Sequence, residues 1–450
     1  MTLLNSTNYD FLDIIEPVTA YTDGYLLSLN LGTPPQVFQV YLDTGSDLTW
    51  VPCGTTSYQC KECGNGNDHT TSSKPTPMFL PSQSSSSTAD LCGSRLCVDV
   101  HSSDNRFDPC AAAGCDVAAF TAGLCPRPCP PFSYTYGGGA LVLGSLARDS
   151  VTLHGSVGGV EPLSPVEFRG FGFGCVGSAI REPIGIAGFG RGALSLPSQL
   201  GFLGKGFSHC FLGFRFARNP NVTSPLVMGD LALLPAAAAP DAAAAAFLFT
   251  PMLRSFAYPN FYYVGLEGIS LGDNNNGSAG GAAAGAMAVV APPSLSGIDP
   301  EGDGGVLVDT GTTYTHLPDP FYASVLAAIA AAAPYERSRD TEARTGFDLC
   351  FRVPCARAPC AEDDGLPAIS LHLGGGGGRL ALPKLSSYYP VTAVRDSAVV
   401  KCLLLQRMDD GGGGGPGAVL GSFQMQNVEV VYDLVAGRVG FLPRDCARRA

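Results

Sequence analysis

The sequence predicts an all-β protein of two similarly built lobes, on three observations. Most apolar runs are short, rich in β-branched or aromatic residues, and broken by some of the 57 Gly and 35 Pro. An apolar strand running into an acidic turn occurs twice, as YLDTGS at 41–46 and LVDTGT at 307–312. Each is trailed, further along, by an apolar pair and a glycine, in IGIAGFG at 184–190 and AVLGSF at 418–423. At 450 residues the chain exceeds one small core, so a repeat of this kind is best read as two lobes, each offering one aspartate loop.

The elements follow in order. Residues 1–23 are expected to be an N-terminal arm or a propeptide remnant. Residues 24–225 are the first lobe, 226–246 an inter-lobe linker with an alanine-rich stretch, and 247–450 the second lobe. Strands are expected over GYLLSLNLG at 24–32, VFQVYLD at 37–43, ALVLGSLARDSVTL at 140–153, FYYVGLEGISLG at 261–272 and VEVVYDLVAGRVGFL at 428–442. One helix stands out, FYASVLAAIAAAA at 321–333, with Asp319 and Pro320 before it and Pro334 after it. Residues 53–132, 235–246 and 272–286 read as surface insertions, the first holding nine of the sixteen cysteines. The glycine runs at 374–378 and 411–415 read as hairpin tips.

Composition narrows the class. Hydrophobic residues make up 45% and charged residues 15%, as in an ordinary globular protein. A net charge of −12 argues against a nucleic-acid partner and fits work in acid, where much of that charge is neutralised. No run reaches the roughly 20 apolar residues of a membrane span. Cys60 and Cys63 form a C-x-x-C, but no second pair with nearby histidines completes a zinc set, so no metal is expected and disulfides are the better reading. Sequons at Asn5, Asn221 and Asn276 agree with a secreted glycoprotein, placed outside the cell or in the vacuole. MTLLNSTNYDFLD lacks the basic start and apolar stretch of a signal peptide, which implies a mature or shortened form, or an unconventional route.

An Asp-Thr-Gly turn has specific physical uses. Glycine lets backbone approach backbone closely. The hydroxyls of Ser46 and Thr312 can donate to the carboxylates of Asp43 and Asp309, while Thr44 and Thr310, beside Gly45 and Gly311, brace the loops from beneath. If the lobes face each other, the two aspartates meet across a pseudo-twofold axis. Two carboxylates at contact distance cannot both ionise cheaply, so they share a proton. One then acts as base toward a water while the other, protonated, polarises a carbonyl. The bland alternative makes both aspartates ordinary turn residues. It leaves the repeat unexplained.

At these residues the sequence resembles the pepsin-like aspartic proteases, and among them the plant nepenthesin-type branch. The resemblance runs from LLSLNLGTPPQVFQVYLDTGSDLTWVPC to VLGSFQMQNVEVVYDLVAGRVGFLPRDC, through GIAGFGRGALSLPSQL and GFSHCFLGF, and includes the cysteine-rich insertion after WVPC. It implies a bilobal fold with a cleft between lobes, peptide or protein substrates, endopeptidase activity without metal or cofactor, and a monomer. Carried over, Asp43 and Asp309 match the catalytic pair and Tyr136 the flap tyrosine that closes over bound peptide. Trp50, the only tryptophan, matches the residue whose indole bonds that tyrosine. Tyr134 shares the strand face of Tyr136 and is its rival, and Trp50 reads equally as a core aromatic. The flap departs from the family pattern: YGGGALVLGS replaces the usual acidic residue and serine with glycines and apolar residues. By the same resemblance Cys350 pairs with Cys402, and Cys210 with Cys446. The nine insertion cysteines are an odd set, so one pairs outside it, with Cys175 as the candidate, and Cys355 and Cys360 close a local loop.

Two rivals remain. A non-catalytic binding protein on the same scaffold, such as an inhibitor of microbial glycanases, would typically have lost part of the dyad or its hydroxyls; here all four groups are present. A cysteine-rich structural module leaves the paired loops unexplained.

Overall fold

A computed structural model describes residues 12–21, 24–54, 57–63, 76–102, 108–116, 118, 125–157, 163–217, 219–233, 247–272, 287–356, 360, 364–376, 378–409 and 414–448. The sequons at Asn5 and Asn276 and most of the stretches at 235–246 and 272–286 lie outside these residues. The chain forms two compact units. The first holds Tyr25–Lys205 and Leu226–Ala232 with the residues up to Val18; the second holds Gly206–Pro225 and Leu233–Ala450 with Thr19–Gly24.

In the first unit the strands Tyr25–Leu31 and Gln36–Asp43 form an antiparallel pair, with Leu26 opposite Tyr41. Gly185–Gly188 runs parallel to the second of these, setting Gly188 beside Asp43. Trp50–Pro52 then crosses antiparallel to that strand at Ile186 and parallel to Gly174–Val176. A long hairpin, Leu141–Val157 with Ser164–Ile180, completes the sheet, and Phe132–Thr135 pairs on its outer end. The alternation of apolar and polar residues that suggested strands is real: Val40 and Leu42 are buried between the exposed Gln39 and the half-buried Tyr41.

The second unit repeats the motif. Val306–Val308 is flanked by Tyr263–Val264, antiparallel, and Ala418–Leu420, parallel. Thr315–Leu317 crosses antiparallel at Val419. The helix spans Phe321–Ala332, and the Asp319 carboxylate accepts from the amide of Ala323 at 3.3 Å. Glycines 374–376 stand at a hairpin tip between Ala368–Leu373 and Gly378–Ala381, which pair antiparallel.

Several expectations need correction. The unit boundary falls before Gly206, not at 225, because Gly206–Cys210 pairs with Val428–Asp433 of the second unit. Leu226–Ala232, expected as linker, returns to the first unit, where the Leu231 amide donates to Asp13 at 2.8 Å. Leu12–Ala20, expected as an arm, is a sheet strand whose first residues pair with Gly155–Val157. Glycines 414 and 415 do not close a hairpin: the strands on either side, Leu405–Arg407 and Ala418–Leu420, both pair with Thr315–Leu317, which lies between them. The cysteine-rich segment is not only surface. Cys92, Leu96, Cys97, Val100, Cys110 and Cys129 pack into one buried cluster with Trp50, Phe132 and Val142. Its internal bonds are Cys60–Cys63, Cys92–Cys110, Cys97–Cys129 and Cys115–Cys125, and a bond from Cys53 to Cys175 ties its start to the long hairpin. A cystine is apolar once formed, so burial costs nothing in unpaired polar atoms.

Candidate active site

Each aspartate loop is built on a close approach that only glycine allows. A Cβ on Gly188 would lie 2.2 Å from the carbonyl oxygen of Asp47, and one on Gly421 would lie 2.5 Å from that of Tyr314. Removing either side chain lets the crossing strand press against the turn that carries the carboxylate. The turn is then stitched in place. In the first unit the Phe189 amide donates to the Asp43 carbonyl at 2.6 Å and the Gly190 amide to the Ser46 carbonyl at 2.9 Å. In the second, the Asp309 amide donates to Leu420 at 3.0 Å and the Ser422 amide to Thr312 at 2.8 Å.

The two carboxylates have matching surroundings. One oxygen of Asp43 accepts from the Gly45 amide at 2.8 Å, and the other accepts from the Ser46 hydroxyl. One oxygen of Asp309 accepts from the Gly311 amide at 2.8 Å, and the other from the Thr312 hydroxyl at 2.5 Å. Asp43 and Asp309 are buried to 6% and 8% exposure, and their sequence neighbours Thr44 and Thr310 to 0% and 2%. A buried carboxylate held by an amide and a hydroxyl has a fixed plane and fixed lone pairs. This is an oriented acid or base, available for proton transfer.

Trp50 is fully buried, and its indole Nε1–H donates to the Tyr136 hydroxyl at 2.9 Å. Tyr134 sits against Tyr136 with ring centroids 5.0 Å apart, and its hydroxyl accepts from the Asp47 amide at 3.4 Å. The strand face carries both rings, but only Tyr136 takes the indole. Burial pushes the Tyr136 phenol well above its ordinary pKa, with Tyr134 and the Asp43 carboxylate adding to the rise. Burial likewise raises Tyr134, helped by Asp47. Both phenols therefore stay protonated through the acid and neutral range.

Sequence reasoning missed three contributors. Asp47 accepts from the Gly192 amide at 2.8 Å and so anchors the segment after Gly188. Gln424, 1% exposed, does the matching work in the second unit, accepting from the Thr315 amide at 2.9 Å. His316 occupies the register position that Trp50 holds in the first unit. Local sequence carried no sign of the last two, since both roles depend on strands about a hundred residues away. Cys210 is bonded to Cys446, Cys350 to Cys402 and Cys355 to Cys360. Every cysteine of the described residues that is part of a metal-like cluster, such as Cys97 and Cys129 beside His101, is already in a disulfide, and disulfide sulfur is a poor metal ligand. The residues here do not fit a metal.

Comparison with known proteins gives a consistent result. Residues 25–230 match a family described as xylanase inhibitor N-terminal, and residues 261–443 one described as xylanase inhibitor C-terminal. A protein of Arabidopsis thaliana described as a probable aspartyl protease is 36% identical, covering 96% of this chain and 84% of the relative. Aspartic proteinase nepenthesin-2 of Nepenthes gracilis is 28% identical, covering 96% and 80%. Among solved structures, edgp superposes with a TM-score of 0.63 at 20% identity, covering 97% of this chain and 96% of that one. Conglutin gamma of lupine seeds gives 0.61 at 18%, covering 96% and 94%. At these identities the solved structures speak to the fold alone.

Proposed function

The chain belongs to the pepsin-like aspartic proteases, of nepenthesin type, and we propose that it is an aspartic endopeptidase in which Asp43 and Asp309 are the acid–base pair. The observation that carries this is the matched dressing of the two carboxylates, each with one amide and one hydroxyl donor. Curated relatives described as aspartic proteases, similar over nearly the whole chain, support it.

In this reading the ionised member draws a proton from water while the protonated member donates to the carbonyl oxygen of the peptide bond. Thr44, Gly45, Ser46, Thr310, Gly311 and Thr312 hold the carboxylates, so little reorganisation accompanies the transfer. Tyr136, oriented by Trp50, is the flap residue that covers bound peptide. The chain acts as a monomer on peptide or protein substrates, in an extracellular or vacuolar compartment. That setting suits sixteen cysteines and an exposed sequon at Asn221. No helix of the described residues is long and apolar enough to cross a membrane.

The decisive experiment is degradation of an unfolded protein across pH 2 to 7, with and without pepstatin. Cleavage in acid that pepstatin blocks is expected. Asp43→Asn and Asp309→Asn should each lower kcat/KM by at least about a thousandfold while the circular dichroism stays unchanged. Undiminished cleavage by either variant would overturn the assignment.

A second reading, a non-catalytic glycanase inhibitor on the same scaffold, is favoured by one observation, the description attached to the two matched family segments. It has less support, because both aspartates and their hydroxyl partners are intact. Binding to a glycanase with no proteolysis at any acid pH would select it.

A further inference from the structure

Away from the aspartate loops, the second unit carries a cleft of about 400 Å³ that neither reading uses. Three arginines from three different elements line it. Arg344 comes from the last turn of the helix Arg339–Thr345, Arg352 from the strand Cys350–Pro354, and Arg395 from the hairpin joining Tyr388–Pro390 to Ala398–Leu403. Among the described residues the only acid on the lining is Asp396, whose carboxylate lies 3.9 Å from the Arg352 guanidinium, a long and exposed pair. Among the described residues Arg344 and Arg395 enter no ion pair. Three cations against one carboxylate leave two positive charges in a chain whose net charge is −12.

The geometry of the rim is set before any ligand arrives. Arg395 and Ala398 exchange both backbone hydrogen bonds, at 2.8 and 2.9 Å, with Asp396 and Ser397 in the left-handed region at φ 50° and 57°. This two-residue turn fixes where Arg395 and Asp396 start. Arg344 closes a helix C-terminus, where a cation is already favoured. Thr392 accepts from the Val400 amide at 3.0 Å, which leaves its hydroxyl hydrogen to donate.

We propose that this cleft is an anion site for a doubly charged tetrahedral oxyanion, a sulfate or phosphate group. Guanidinium forks bind such groups through paired N–H donors, and a dianion balances the surplus charge. A lone carboxylate would neutralise only half of it. Arginine stays charged throughout the acid and neutral range.

Calorimetric titration of the full chain tests this without reference to proteolysis. Inorganic sulfate should bind saturably at pH 7 and pH 5. Phosphoserine should bind at pH 7 and severalfold more weakly at pH 5, because its second proton binds with a pKa of about 6. Arg352→Gln combined with Arg395→Gln should weaken sulfate binding at least about tenfold, with an unchanged Tm confirming that the fold survives. Asp396→Asn removes the competing carboxylate, keeps a residue that tolerates positive φ, and should tighten binding. A sulfated oligosaccharide separates the sources: tighter binding than sulfate assigns the group to a larger carrier, equal binding assigns the free ion. Chloride at matched ionic strength giving the same heat, or full sulfate binding by the double variant, would overturn the proposal.

Discussion

Trp50 and His316 hold one register position in two units of like topology: Trp50 lies opposite Ile186 and His316 opposite Val419. Each of those partners stands two residues before the glycine that abuts an aspartate loop. The scaffold is duplicated, but the chemistry at this position is not. One unit places a neutral hydrogen-bond donor there, the other a titratable ring. Burial lowers the pKa of His316, against the opposing pull of the Tyr314 backbone, Gln406, Asp409 and Asp309.

His316→Gln should therefore shift the acid side of the pH–rate profile. In the parent, His316 becomes cationic only once the pH falls through its lowered pKa, a charge that Gln cannot acquire, so the acid limbs of parent and variant should differ by about 0.5 pH unit. A residue that only packs would lower the rate evenly at all pH values and leave the limb in place.

Trp50→Phe keeps a ring in the core but removes the Nε1 donor to Tyr136. The loss of one hydrogen bond of about 1 kcal/mol should lower kcat/KM by roughly fivefold, chiefly through KM. Tyr136→Phe should do the same. The double variant should be no worse than either single one, since both delete one interaction. Additive losses would show that the two residues act separately.

His209 sets a cost on working in acid. It is 1% exposed, stacked 4.0 Å from Phe211, and neither ring nitrogen has a partner among the described residues. Burial pushes its pKa down to about 3. The unfolded chain takes up this proton near pH 6.5 and the folded chain does not, so stability falls as the pH drops from about 6.5 toward 3. His209→Phe should remove that loss, worth about 3 kcal/mol at pH 4 and nothing at pH 8. Urea unfolding of parent and variant at the two pH values measures it.

Asp364 has the same sign of shift and the same direction of effect, but from a different cause. Burial pushes its carboxyl up, but hydrogen bonds from Lys401 at 2.6 Å and Lys384 at 2.9 Å outweigh this and leave its pKa below the usual 3.8. Its contribution is complete above 3.8 and is lost as the pH falls through the lowered value. Asp364→Asn strands Lys401, itself 3% exposed, and should cost about 3–5 kcal/mol at pH 7 and much less at pH 2.

The strands and the two aspartate loops were legible in the sequence because their signals are local: alternation, turn residues and a repeated tripeptide. Ser46 and Thr312 could be placed on the carboxylates for the same reason, being three residues away. That Tyr136 meets Trp50 was implied by the family resemblance and is what the structure has, but the strand pattern alone leaves Tyr134 and Tyr136 on one face. Gln424 and His316 gave no local sign at all. The boundary at Gly206 was hidden because a strand's allegiance depends on its partner, Val428–Asp433, more than two hundred residues on.

Cystines form part of the core around Trp50, with Cys92, Cys97, Cys110 and Cys129 in the same packed cluster as the indole and with Tyr136 resting against it. Reducing agents would thus reach this tyrosine from the rear, through loosened packing, without touching either aspartate. Thiol–disulfide balance in the surroundings becomes a second control on the same ring, alongside acidity, and a chain made under reducing conditions would carry intact carboxylates beneath an unsupported cover.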